Sequence, residues 1–181
     1  MRRLALLGLV VVFGAGALVV LPGVRDPSGA AARQGAFESG GIGLSRAEWE
    51  AVHGPGDVGQ NYVTYEGGRY YVQFVGDAVS FIELGWEDRG GVDAPDALAE
   101  VEALLPADAG FLETFLAPPT GSGLVGLTLD RYESEALPDR FPDAQPPPTG
   151  SILVVYQETP GQDRFEPSVT RASIAVGKEL P

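Results

Sequence analysis

Three carboxylates near the end of one predicted strand, Glu83, Glu87 and Asp88, are the side chains whose type and spacing could do chemistry. Two carboxyl groups that face each other across a cleft, about 5 to 9.5 Å apart, can cleave a glycosidic bond, one as the acid and the other as nucleophile or base. A solvated strand end in an acidic protein has the same composition, and we favour that simpler interpretation. A carboxylate-dependent glycan hydrolase is therefore retained as an alternative function.

The absence of cysteine and the single histidine limit the other catalytic and metal-binding sites that the sequence could form. With no cysteine in the chain, a disulfide, a thiolate metal site and a cysteine nucleophile are all excluded. The single histidine, His53, ends a predicted helix just before Gly54, where a cation interacts favourably with the last carbonyls. Ser122 is not in a Gly-x-Ser-x-Gly elbow because residue 120 is threonine. We therefore expect no cofactor and no metal, and the sequence favours a non-catalytic protein.

The net charge of the chain indicates which classes of partner are not expected. It carries 25 acidic and 12 basic residues, a formal net charge of −13. Such a surface repels phosphate backbones, so nucleic acid is not an expected partner.

The amino terminus indicates where the protein works. Arg2 and Arg3 precede residues 4–24, which are uncharged and mostly apolar and long enough to cross a bilayer as a helix. Positive flanks stay on the cytoplasmic side, so the rest of the chain is expected outside the cytoplasmic membrane. Residues 1–24 are either a retained signal anchor, giving a single-pass protein, or a cleaved signal peptide, giving a secreted or periplasmic one.

Composition divides the remainder into two parts. Residues 25–43 are rich in Gly, Ala and Ser without a period, which predicts a flexible linker. Residues 44–181 are long enough to form one extracytoplasmic domain with a sizeable core.

Order is expected to begin with a short helix. Ser45 and Glu48 have the spacing of a capping box, and Leu44 and Trp49 that of a hydrophobic staple. Gly54 then ends the helix.

Antiparallel strands follow, and the pattern then restarts. Turn signals separate predicted strands at 61–66, 69–75 and 78–84, and Asp93 begins a second helix with an apolar stripe that includes Leu98. Further strands are predicted at 111–117, 124–132, 151–158 and 168–176, and Pro146, Pro147 and Pro148 form a loop of unassigned role. We expect an α+β fold with short helices packed on an antiparallel sheet, an order compatible with two tandem repeats at 44–88 and 93–176.

Part of the chain resembles a known envelope family. The resemblance is carried by residues 43–49 (Gly-Leu-Ser-Arg-Ala-Glu-Trp), 53–55 (His-Gly-Pro) and 65–74 (Tyr-Glu-Gly-Gly-Arg-Tyr-Tyr-Val-Gln-Phe). These resemble one repeat of the β-lactamase-inhibitor-like domains, which include the small outer-membrane assembly lipoprotein of the β-barrel machinery. Gly54 and Pro55 are adjacent here, whereas the family pattern is Gly-x-Pro. The lipid-modified cysteine is also lacking. The resemblance implies a non-catalytic fold that binds proteins through its sheet or loops.

Polar and aromatic side chains around the first strands form the candidate binding surface. Exposed aromatics on a sheet make good anchors for a partner protein, although burial in the core is the simpler interpretation of Trp86. We expect a domain that binds another envelope or secreted protein, and a small-molecule binding or sensor module is the further alternative. The candidate residues are Tyr62, Tyr71, Gln73, Glu83 and Trp86.

Overall fold

In the part of the chain that the structure describes, the strands form one antiparallel sheet of eight, in the spatial order β1-β2-β3-β4-β8-β7-β6-β5. The computed structural model describes residues 37–117, 126–142, 144, 146, 148–160 and 167–177. The prediction of an α+β protein with an antiparallel sheet is confirmed. The elements are α1 (Arg46–His53), β1 (Asp57–Val58), β2 (Val63–Tyr65), β3 (Tyr70–Val75), β4 (Ala78–Gly85), α2 (Ala94–Glu102), β5 (Gly110–Ala117), β6 (Gly126–Glu133), β7 (Ser151–Pro160) and β8 (Pro167–Val176).

The first helix begins and ends where its local sequence predicts. The Ser45 hydroxyl accepts a hydrogen bond from the Glu48 amide at 3.3 Å, and the Glu48 carboxylate accepts one from the Ser45 amide at 2.7 Å. Gly54, with φ of 75°, follows the last helical residue and adopts a backbone conformation that L side chains avoid. Trp49 points inward and is fully buried.

The second helix is also capped as predicted, but its buried apolar stripe is narrower than the predicted one. Asp93 accepts a hydrogen bond from the Asp96 amide at 2.9 Å. Ala97 and Val101 are buried, whereas Leu98, which was assigned to the same stripe, is exposed. The buried pair lies four residues apart and so occupies a single helix face.

Both helices pack on the same face of the sheet. Trp49 of α1 and Val101 of α2 belong to one apolar cluster with Val72, Ile82 and Ile174, which point from β3, β4 and β8. Alternation along each strand sends the neighbouring side chains to the opposite face. We call that second face, which carries neither helix, the outer face.

The ordered domain begins before residue 44, which corrects the predicted extent of the linker. Ile42 is fully buried, and its amide donates to the Leu104 carbonyl at 2.9 Å. A Cβ on Gly40 would lie 1.9 Å from the Ala103 carbonyl oxygen, and one on Gly41 would lie 2.8 Å from the Leu104 carbonyl oxygen. These glycines permit close approach of two backbones, and composition alone does not distinguish that role from flexibility.

Several predictions concern residues outside the described part of the chain. They are the signal anchor or signal peptide at 1–24, most of the linker, and the segment around Ser122. Among the described residues, no helix combines the length and the apolar character needed to span a membrane.

Candidate functional site

The side chains of the outer face form rows that cross the sheet, and those at the centre of the sheet are buried. Strand register sets each row because residues directly opposite one another point to the same side. The first row consists of Thr64, Tyr71, Glu83, Ser173, Val155, Leu129 and Phe115. The second row consists of Gln73, Phe81, Ala175, Leu153, Arg131 and Glu113.

A partly exposed aromatic pair lies at the β2–β3 end of this face. The ring of Tyr62, just before β2, meets the ring of Tyr71 edge to face, with centroids 5.2 Å apart and planes at 86°. Tyr62 is 43% exposed, and Tyr71 is half-buried. This geometry is a favourable one for two aromatic rings, so each side chain holds the other in place.

An arginine links the two glutamates nearest to this pair. Arg171 of β8 lies with Nη1 3.2 Å from Glu83 Oε1 and Nη2 2.6 Å from Glu87 Oε1. The hydrogen bond to Glu87 raises the pKa of Arg171, and the charge of Glu83 acts in the same direction. The guanidinium therefore stays charged and fixes both carboxylates.

Sequence reasoning did not identify Arg171. It lies 84 residues beyond Glu87 along the chain, and it reaches β4 only because β8 pairs with that strand. The one sequence signal is its outward position in an otherwise apolar or small-residue strand, and that signal does not specify a partner.

Gln73 lies beside Tyr71 on the same face. It is directly opposite Phe81 of β4, and both side chains are half-buried. The strand register shifts after Gln73, and the Ser80 hydroxyl donates to the Gln73 carbonyl at 3.3 Å. The irregularity ends the regular outer rows at this edge.

Trp86 is not part of the outer face. It is fully buried, and its indole N–H donates to Glu100 Oε2 at 3.1 Å. The same oxygen accepts from Arg69 Nη2 at 2.7 Å, so the indole belongs to a polar network on the helix side. The structure brings Tyr62, Tyr71, Gln73 and Glu83 together, and it places Trp86 in the core because a large apolar ring stabilises the fold most when buried.

An open polar cleft adjoins the aromatic pair. It has a volume of about 610 Å³ and lies between two short 3₁₀ turns, Glu66–Gly68 and Glu87–Arg89. A Cβ on Gly68 would lie 3.6 Å from the Tyr71 hydroxyl, so the cleft and the outer face are neighbours. The lining residues are Glu66, Gly67, Gly68, Arg69, Gly85, Glu87, Asp88 and Arg89.

Glu83 and Glu87, two of the candidate hydrolase carboxylates, are both ion-paired to Arg171. Burial acts to raise the pKa of Glu87, but the hydrogen bond and charge of Arg171 outweigh it and bring the pKa below the usual value. A general acid needs the opposite shift, because it must hold its proton until the leaving group departs. Glu83 contacts the same guanidinium at 3.2 Å, so the two carboxylates share one cation.

His53 has a structural environment at the end of α1. Its ring stacks on Trp49 with centroids 3.9 Å apart, and Nδ1 lies 2.6 Å from Glu66 Oε1. In the described ranges, His, Asp and Glu form no group of three that could hold a metal ion.

Comparison of the chain with known protein families, curated proteins and solved structures finds no match. The candidate site is therefore identified from its geometry alone.

Proposed function

We propose that this chain is a non-catalytic, extracytoplasmic domain that binds another envelope or secreted protein through its outer face. Support comes from the partly exposed Tyr62–Tyr71 pair beside the fixed charges of Arg171, Glu83 and Glu87. Aromatic rings combine large contact area with a polar tip, and they dominate the energetics of protein interfaces.

The fixed charges favour a partner with matching polar groups. Glu83 and Glu87 are held by Arg171, and Glu113 is held by Arg131 at 2.8 Å. Side chains that are already ordered lose little entropy when a partner binds. The net charge of −13 would steer a basic surface toward this domain and make its association rate sensitive to salt.

Location outside the cytoplasmic membrane is proposed from residues 2–24 alone. Arginines 2 and 3 and the apolar stretch that follows support either a membrane tether or a signal peptide. Both alternatives put the binding domain on the same side of the cytoplasmic membrane.

We further propose two tandem units, 44–88 and 93–176, related to the β-lactamase-inhibitor-like domains. The element order supports this, because α1 precedes β1 to β4 and α2 precedes β5 to β8. The last strands of the two units, β4 and β8, pair antiparallel in the middle of the sheet.

A pull-down with the tagged full chain from solubilised envelope, read by mass spectrometry, tests the proposal. Wild type should retain a stoichiometric protein that the double variant Tyr62→Ala, Tyr71→Ala loses. Val52→Ala is the matched control, because Val52 is an exposed apolar residue on α1, on the opposite side of the sheet. A blank repeated with crosslinker, or equal loss in the control variant, would contradict binding through the outer face.

A further inference from the structure

The two edge strands of the sheet differ in length. One edge is β1, with two residues, and the other is β5, with eight. In the described part of the chain, β6 is the only strand that pairs with β5. A long strand with a free edge offers a row of backbone donors and acceptors to another strand, and very short edge strands are one way in which proteins avoid this.

Strand β5 is also unusually apolar for an edge. Phe111 is 56% exposed, Leu112 46%, Phe115 47% and Leu116 79%. Four large apolar side chains within six positions leave much of both sides of the strand uncovered. Side chains of this kind lower the free energy when another strand covers them.

Strand β5 carries little charge of its own. Glu113 is the only charged residue in β5, and Arg131 Nη2 lies 2.8 Å from its carboxylate. The single charge within β5 is therefore paired, in a chain of net charge −13. Two copies of an acidic protein repel each other over most of their surfaces, and they can approach where charge is already paired. At the opposite edge, one of the two residues is Asp57.

We propose that β5 is the contact between two copies of this chain, which pair antiparallel across a two-fold axis perpendicular to the sheet. The proposal is independent of the outer-face binding function. It joins two eight-stranded sheets edge to edge through backbone hydrogen bonds, the same chemistry by which extended peptides add to sheets. Because Phe115 ends the row that contains Tyr71, the two outer faces would become continuous.

The register follows from the regular part of the strand. Pairing of β5 with β6 is uninterrupted from Glu113 to Ala117, and an irregularity precedes it at Leu112. A two-fold axis at Phe115, the centre of this stretch, places Phe115 opposite its own copy and Glu113 opposite Ala117. An axis at Glu113 would instead oppose two carboxylates, which is unfavourable.

Single-cysteine variants test both the contact and its register, because the natural chain has no cysteine. Phe115→Cys in the full chain places two thiols directly opposite, with Cα atoms about 5 Å apart, within disulfide range. Leu112→Cys is the matched control, since Leu112 is on the same strand and is 46% exposed against 47% for Phe115. In the proposed register its two copies are about 20 Å apart.

After mild oxidation, a non-reducing gel should show at least fivefold more covalent dimer for Phe115→Cys than for Leu112→Cys. Equal yields would indicate random collision and would overturn the proposal, as would the absence of dimer from both variants. A second variant, Phe115→Lys, places two like charges on the axis at an exposed site. It should weaken self-association of the full chain at least tenfold in sedimentation, whereas Val58→Lys at the β1 edge should not. Equal association of the two lysine variants would also overturn the proposal.

Discussion

Arg140 Nη2 lies 2.9 Å from Glu48 Oε2, which joins the first turn of α1 to a residue 92 positions further along the chain. The same carboxylate oxygen accepts the Ser45 amide proton at 2.7 Å. Arg140 Nε also donates to the Gly43 carbonyl at 2.7 Å. The Arg140 guanidinium therefore contacts both the segment that leads into α1 and the capping box of α1.

This arrangement predicts a loss of stability in acid. Hydrogen bonds from Ser45 and the charge of Arg140 lower the pKa of Glu48 in the folded protein below its ordinary value of 4.5. Because the folded pKa is the lower one, the stabilisation is complete well above pH 4.5 and is lost as pH falls through the folded pKa. Glu48→Gln should lower the melting temperature at pH 7, and its difference from wild type should shrink as pH falls below 4.5. Melting curves across that range measure the effect, with Glu102→Gln as an exposed control. A constant difference at every pH would contradict the assignment.

The Tyr71→Ala variant separates binding from folding. The variant loses one edge-to-face contact and the burial of a half-buried ring, so the free energy of unfolding should fall by about 1–2 kcal/mol. Affinity for the captured partner should fall at least tenfold, the effect of removing an interface anchor of about 1.4 kcal/mol. Urea unfolding and titration of the partner measure the two quantities. A large loss of stability with unchanged affinity would mean that Tyr71 is a structural residue.

Replacement of Gly40 tests whether the domain begins before residue 44. Gly40→Ala forces a methyl group to within 1.9 Å of the Ala103 carbonyl oxygen, so the two segments must separate. The expected cost is about 1–3 kcal/mol, the range for overpacked sites. Gly110→Ala is the control, because a Cβ there meets its nearest neighbour at 3.9 Å. Urea unfolding compares the two variants, and equal midpoints would show that Gly40 is not packed in solution.

Trp86→Phe should destabilise the fold. The change removes the donor at 3.1 Å from Glu100 and leaves part of a fully buried volume empty. We expect a loss of about 1–3 kcal/mol in the free energy of unfolding. Partner capture by the folded protein should be unchanged, because the indole is on the helix side of the sheet. If the variant kept its full stability but captured less partner, Trp86 would belong to the binding surface.

Local features were predictable because their interactions lie within a few residues of each other. The capping box uses positions three apart, and Gly54 and Asp93 mark helix ends through backbone geometry and side-chain capping. Alternation in β3 correctly assigns Tyr70 and Val72 to one face and Tyr71 and Gln73 to the other. The two-residue strand β1 was missed, since two residues carry no period.

Contacts between residues that are far apart in the chain could not be predicted from the sequence. No local pattern places Arg171 against Glu83 and Glu87, because that contact requires β8 to lie beside β4. The same holds for Gly40 and Gly41, whose role depends on the backbone at Ala103 and Leu104.

By itself, the sequence determined the helix caps, the strand periods and the α+β class, since these depend on neighbouring residues and on the alternation of side chains. Only the tertiary structure decided which aromatics are exposed, which carboxylates share a cation and that β5 is a long free edge among the described strands. Those properties arise when distant segments meet, and burial and charge pairing are defined only after that packing has formed.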